Sequence, residues 1–342
     1  MSPEGEVRVL DVHQFINGAD SYEADVLDGF ARAHAGLVRW NRAPSYVVRR
    51  NPAPDKVALV SGGGSGHEPL HSGFVGDGML DAAVPGHVFT SPTPEQVIAA
   101  TKAVAGDAGA LLVVKNYTGD LINFRLAAEI LDASGVRVRS VVVDDDLATE
   151  TDGDGDPGRR GTAATLVVEK VCGAAAERGA TLDEVADLAT RVVARSRSLA
   201  VSFSGAQLPG SSIRSFEVPA DEVEFGVGIH GERGTARHPL RPVRELVAEL
   251  TARISGALDL ASGHRVVAVV NGLGATPAAE LYLAYGELAG CLERAGVRLA
   301  RGLVGTYVTA LDMRGLSVTL TVADEEILAL WDDPVRTAAL AW

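Results

Sequence analysis

Val57-Ala58-Leu59-Val60-Ser61-Gly62-Gly63-Gly64-Ser65-Gly66-His67-Glu68-Pro69 decides the architecture. The first four residues are apolar and read as a buried strand, and the glycines after them read as a loop leaving its carboxyl end. In open α/β sheets, ligands sit at those carboxyl ends. An ordinary turn needs one or two glycines, whereas four permit positive φ and a close approach of backbone to ligand. No lysine follows as in a phosphate-cradling loop, and the third glycine of a dinucleotide fingerprint is missing. The loop alone therefore predicts no nucleotide.

Outward from this stretch, residues 111–114 and 136–143 read as further strands, separated by helices beginning near Thr93 and Gly119. Thr93 and Gln96 fit a capping box with Pro94 at the first helical position. This alternation is the mark of βαβ units. Residues 144–160 turn acidic and glycine-rich, after which 162–178 and 182–194 resume helical spacing, the latter opened by Thr181 and Glu184. The second half offers strands at 199–203, 223–229, 265–270, 298–304 and 316–322, with helices at 242–254 and 277–295. The expected fold is two α/β domains, each a mostly parallel or mixed sheet flanked by helices. Residues 1–195 form the first and 196–342 the second.

With 46% hydrophobic and only 5% aromatic residues, the composition is that of a soluble α/β protein. A net charge of -14 without a basic stripe argues against nucleic acid and anionic membranes as partners. Cys172 and Cys291 each fall inside a helical pattern and read as reduced packing residues. Residues 1–13 carry no basic-then-apolar leader, and the apolar run at 266–270 is too short to span a bilayer, so a cytoplasmic location is expected.

Two apparent metal sites are misleading. His67-Glu68-Pro69-Leu70-His71 matches the H-E-x-x-H of zinc proteases, which needs both histidines on one helical face. Pro69 opposes that, leaving His67 in the loop and His71 inside a following helix. Asp152, Asp154 and Asp156 mimic the start of a calcium loop, but Pro157 replaces its turning glycine and Ala163 its bidentate glutamate. No metal is therefore expected on this chain.

Lys115-Asn116-Tyr117-Thr118-Gly119-Asp120 follows the second strand and brings a cation, an amide and a carboxylate to the edge that bears His67. Taken alone, Asp120 is equally an N-cap for the next helix. Gly226-Val227-Gly228-Ile229-His230-Gly231-Glu232 ends another strand and isolates a histidine between glycines. A neutral imidazole is nucleophilic near physiological pH and can add to a ketone carbonyl.

Together these three segments resemble the dihydroxyacetone-binding subunit of the dihydroxyacetone kinase family. The resemblance extends through Phe89-Thr90-Ser91-Pro92-Thr93, Arg160-Gly161-Thr162, Leu311-Asp312-Met313 and Leu330-Trp331-Asp332-Asp333-Pro334. It implies that His230 forms a hemiaminal with the ketose, that His67 and Asp120 do acid–base work, and that Gly64, Ser91 and Lys115 line the pocket. It further implies a homodimer and a separate nucleotide-binding partner subunit. That partner would carry ADP or ATP with magnesium and be recharged by a phosphotransferase-system protein or by free ATP, with no cofactor on this chain itself.

The sequence departs from the family at Gly272, where a second asparagine is common, at Ala310, where a hydroxyl residue is usual, and across residues 207–216. These departures bear on partner docking and substrate choice. Two other readings are a kinase subunit for a related ketose such as erythrulose and a ketose-sensing regulator that phosphorylates nothing. Retention of Asp120 beside both histidines disfavours the regulator.

Overall fold

The computed structural model describes residues 13–150 and 158–342. The N-terminal stretch up to residue 12 and the acidic run with Asp152, Asp154 and Asp156 lie outside the described residues.

The first sheet has six strands: β1 (Val38–Arg42), β2 (Ser45–Arg49), β3 (Ala58–Ser65), β4 (Ala82–Val88), β5 (Ala110–Lys115) and β6 (Val138–Val143). Their order is β1-β2-β4-β3-β5-β6. The β4-β3-β5-β6 core is parallel, and β1 and β2 join it as an antiparallel hairpin. The second sheet comprises β7 (Ser196–Ser202), β8 (Glu222–Phe225), β9 (Ala236–Pro239), β10 (Arg265–Gly272), β11 (Arg298–Gly305) and β12 (Gly315–Val322), in the order β11-β10-β12-β7-β8-β9. Only β10 and β11 pair in parallel. Both sheets are thus of the expected parallel or mixed kind.

Eight α-helices accompany them among the described residues: α1 (Tyr22–Ala33), α2 (Pro94–Val104), α3 (Thr118–Ala133), α4 (Ala164–Glu177), α5 (Leu182–Ala194), α6 (Val243–Ala257), α7 (Ala278–Arg294) and α8 (Glu325–Trp331). The capping boxes at Thr93/Gln96 and Thr181/Glu184 are both formed, which is why the starts of α2 and α5 were readable. Helices α2 and α3 cover one face of the first sheet, and α6 and α7 cover the outer face of the second. Between the sheets lies α4, which touches β3 and β5 on one side and β7 and β12 on the other. A helix covered on two sides must be apolar all round. From Ala164 to Ala176 every residue of α4 is buried.

Four sequence expectations need correction. The glycine stretch is not a loop, because β3 continues through it to Ser65. A side chain at Gly62 would meet the Val84 carbonyl oxygen at 2.5 Å, and one at Gly64 would meet the Thr90 nitrogen at 2.5 Å. These glycines serve close backbone approach within a sheet rather than turning. The strand expected at 223–229 stops at Phe225, where Gly226 takes φ +75 and leaves the sheet. Asp120 is not an N-cap: Tyr117 holds that position, and Asp120 is the third residue of α3. His71 is not inside a helix but precedes a single 3-10 turn at Ser72–Phe74. Absent from the sequence reading were α1, the β1–β2 hairpin, β4, β9 and α8.

Candidate active site

Each chemically suggestive segment follows the end of a strand or opens a helix. His67 follows β3 directly and is fully buried. Its Nδ1 lies 2.8 Å from the Thr309 carbonyl oxygen, which only accepts, so Nδ1 carries the proton and Nε2 the lone pair. That Nε2 is buried with no partner. Burial, then the nearby Lys115 charge, pull the imidazole down to about 3, so it stays neutral at physiological pH.

His230 stands edge-on to His67, ring centroids 4.7 Å apart, and edge-on to Tyr117 at 4.2 Å. Phe89 closes the group, 5.3 Å from His67 and 5.7 Å from His230. The His230 backbone N–H donates to the Glu232 carboxylate at 2.7 Å. Arg160 fixes this loop by donating to Glu232 at 3.1 Å and to the Gly226 carbonyl at 2.8 Å while pairing with Asp146. Gly228 leaves room for this pairing, since a Cβ on it would lie 1.8 Å from the Glu232 carboxylate and displace it. Burial, followed by the nearby Lys115 and Arg160 charges, holds the His230 imidazole well below its ordinary value of 6.5. It is therefore an unprotonated nucleophile near neutrality.

Lys115 ends β5 with its ammonium completely buried. It donates to the Gly62 carbonyl at 3.1 Å and reaches Asp120 Oδ2 at 3.7 Å. The missing side chain of Gly63 makes room for it: a Cβ there would sit 2.1 Å from Nζ and 3.6 Å from Asp120 Oδ2. Asp120 is buried on the first turn of α3, where the helix dipole favours its negative charge. Its Oδ1 is a second buried atom without a partner. Ser91 packs 3.2 Å from where a Gly119 side chain would lie and receives a bond from Asn123 at 3.4 Å.

The structure thus links His67 with His230 through ring contacts, and Lys115 with Asp120 beside Gly63. Gly64 backs onto Phe89 and Thr90. Ser91 adjoins the start of α3. Each unpartnered atom is a hydrogen-bond acceptor of a kind used in proton transfer. A cavity of about 490 Å³ between β3 and α1 borders Gly63, Gly64 and His71, but neither His67, Asp120 nor His230 lines it.

Sequence reasoning missed Tyr117, Phe89 and Thr309 as parts of the cluster, and it misread His71. Its Nε2 accepts from Lys115 at 2.9 Å and its Nδ1 faces Glu169 Oε1 at 2.7 Å. Both ring nitrogens are occupied by protein, which disposes of the protease-like zinc reading. One signal was available: Glu169 and Lys170 are the only charges in an otherwise apolar stretch of α4 from Thr165 to Ala176. A charge on such a helix needs a partner. Glu169 finds His71, and Lys170 donates to the Leu330 carbonyl at 2.8 Å. No group of three or more His, Cys, Asp or Glu among the described residues is arranged to hold a metal. Cys172 and Cys291 are free.

The sequence profile of the Dak1 domain matches residues 28–339. The chain belongs to the Dak1 family. Among Dak1 relatives, it is 43% identical to the Escherichia coli (strain K12) PEP-dependent dihydroxyacetone kinase, dihydroxyacetone-binding subunit DhaK, over 96% of this chain and 99% of that one. The Dak1 fold superposes on the dihydroxyacetone kinase of C. freundii with a TM-score of 0.87 at 36% identity, covering 95% of this chain but 60% of that one. It superposes equally well on the dihydroxyacetone kinase operon co-activator Dha-DhaQ, with a TM-score of 0.88 at 30% identity over 92% of this chain and 97% of that one.

Proposed function

We propose that this chain is the dihydroxyacetone-binding subunit of a dihydroxyacetone kinase, an alcohol-group phosphotransferase that needs a nucleotide-bearing partner. The supporting observation is the convergence of a neutral His230 on His67, whose buried Nε2 awaits a partner, within a family whose E. coli member is named for binding this ketose.

In this reading a ring nitrogen of His230 attacks the ketose carbonyl carbon. A C–N bond forms, the carbonyl π bond opens, and the imidazole proton ends on the former carbonyl oxygen, giving a neutral hemiaminal. His67 Nε2 accepts a hydrogen bond from a substrate hydroxyl and assists proton movement. Gly64, Ser91 and Lys115 line the pocket. The terminal hydroxyl oxygen then attacks the terminal phosphorus of ATP held with magnesium on the partner. The P–O bond to ADP breaks, and the hydroxyl proton passes to Asp120. Holding the ketose covalently fixes its orientation, which matters because phosphoryl transfer depends mainly on positioning.

The name of the E. coli relative, PEP-dependent, and those of relatives named PTS-dependent favour a phosphotransferase-system protein over free ATP as what recharges the partner. Two-fold homodimers are the commonest oligomers, and we extend that expectation to this chain. No helix among the described residues is long and apolar enough to cross a membrane, in keeping with the proposed cytoplasmic setting. We also propose the domain division at 195/196. The strands of the first sheet all precede residue 144 and those of the second begin at Ser196, although residues near Arg336 return to pair with Asp77.

The likeness to the operon co-activator favours a second reading, a ketose sensor. Turnover separates the two. Dihydroxyacetone phosphate is expected only when chain, nucleotide-bearing subunit and phosphoryl donor are combined, and the three together yielding none would leave the sensor.

A further inference from the structure

Resting on the kinase reading, the geometry points to a buried relay, Lys115–His71–Glu169, in which His71 and Glu169 are positioning residues for Asp120. Lys115 Nζ has only protons to give, so His71 Nε2 must accept at their 2.9 Å contact. The His71 proton is then on Nδ1 and donates to Glu169 Oε1 at 2.7 Å. Glu169 therefore fixes both the tautomer and the ring orientation of His71. His71 in turn fixes Lys115, whose two short bonds, to His71 and to the Gly62 carbonyl, draw its ammonium away from Asp120. The Lys115–Asp120 approach of 3.7 Å lies outside hydrogen-bond range.

This arrangement supplies positive charge near Asp120 without closing either carboxylate oxygen to the substrate. If Lys115 swung onto Asp120, the carboxylate would become a hydrogen-bonded ion pair and a poorer base. The relay is rigid because all its members are buried and because Glu169 comes from the central helix packed against both sheets. Burial pushes the Glu169 carboxyl up to about 8. Ionised or protonated, it still presents an oxygen to accept the His71 proton. The role is therefore one of orientation, and an amide can fill it.

Three proteins test the relay: wild type, Glu169→Leu and Glu169→Gln, each mixed with the nucleotide-bearing subunit and supplied with dihydroxyacetone. Glu169→Leu is expected to lower kcat about tenfold, part of the general-base contribution. KM for the ketose should stay within about twofold, and the acidic limb of the kcat–pH profile should move to lower pH as Lys115 settles on Asp120. Glu169→Gln should restore most of kcat and the wild-type limb. An unmoved acidic limb in Glu169→Leu overturns the relay, as does a loss that Glu169→Gln does not rescue. Should Glu169→Leu fail to fold, His71→Leu removes the bridge itself and must shift the limb the same way. Failure of the kinase reading is distinct, since wild type would then form no ketose phosphate at all.

Discussion

At the residue scale, two histidines and one carboxylate divide the proposed chemistry, and their environments set that division. His230 and His67 are kept neutral by burial and by neighbouring positive charge. A histidine whose value is lowered on folding stays unprotonated until pH falls to that lowered value, so attack by His230 should not titrate near 6.5. Binding of dihydroxyacetone measured between about pH 6 and 8 should be flat, and a midpoint near the ordinary histidine value would contradict this account. Asp120 acts only after the ketose is held. Asp120→Asn should lower kcat by about 10²–10⁴ while leaving covalent capture intact. These three residues were legible because each stands in an unusual setting in the sequence: glycines around His230, glycines before His67, and a cation five residues before Asp120. Glu169 was hidden because its partners, His71 and through it Lys115, come from distant segments that only the fold brings together.

At the scale of elements, the glycine run is the part whose structure differs most from its reading. Gly62, Gly63 and Gly64 look like a flexible loop by composition, yet they lie in the middle of a buried strand. Composition reports the absence of side chains, not the reason for it. Here the reason is a neighbour at each position: the β4 backbone at Gly62, the Lys115 ammonium at Gly63 and the segment after β4 at Gly64. The obstacles differ in kind, which gives an ordered expectation. Gly63→Ala meets the end of a side chain and should cost about 1–3 kcal/mol, with turnover lost as Lys115 is displaced. Gly64→Ala meets backbone atoms of Phe89 and Thr90 at 2.5–2.7 Å and should be the more destabilised of the two in urea titrations. The Gly226–Glu232 segment was read as a strand end, and the loop that follows Phe225 is instead anchored from outside by Arg160. Arg160→Met should therefore weaken ketose capture without touching the substrate. Capture equal to wild type would show that the loop is held by other means. Helix starts were legible where a capping box marked them. The β1–β2 hairpin, β4 and β9 were not, because they are short and carry mixed polar and apolar residues whose pairing is decided by distant strands.

At the scale of the whole molecule, the alternation of strands with helices α2 to α7 in both halves was legible from periodicity, whereas the mutual arrangement of the two sheets was not. Periodicity cannot tell a helix covered on one side from one shared by two sheets, and α4 is the shared one. That shared core makes the site a product of both halves, with His67 and Asp120 from one and His230 from the other. The same burial has a consequence for stability. His67 is held at about 3 when folded against 6.5 ordinarily, so the unfolded chain takes up its proton first as pH falls. The stability it contributes is full above 6.5 and is lost from there down towards 3, at up to about 1.4 kcal/mol per pH unit. Unfolding free energy measured across this range should fall less steeply in His67→Gln than in wild type. The central claim, that the ketose is held on His230, is tested most directly by intact-protein mass spectrometry after incubation with dihydroxyacetone. Wild type should gain the mass of one ketose, located on His230 by fragmentation, and His230→Ala should gain none. Wild type without that gain, or a gain that persists in His230→Ala, would contradict the account.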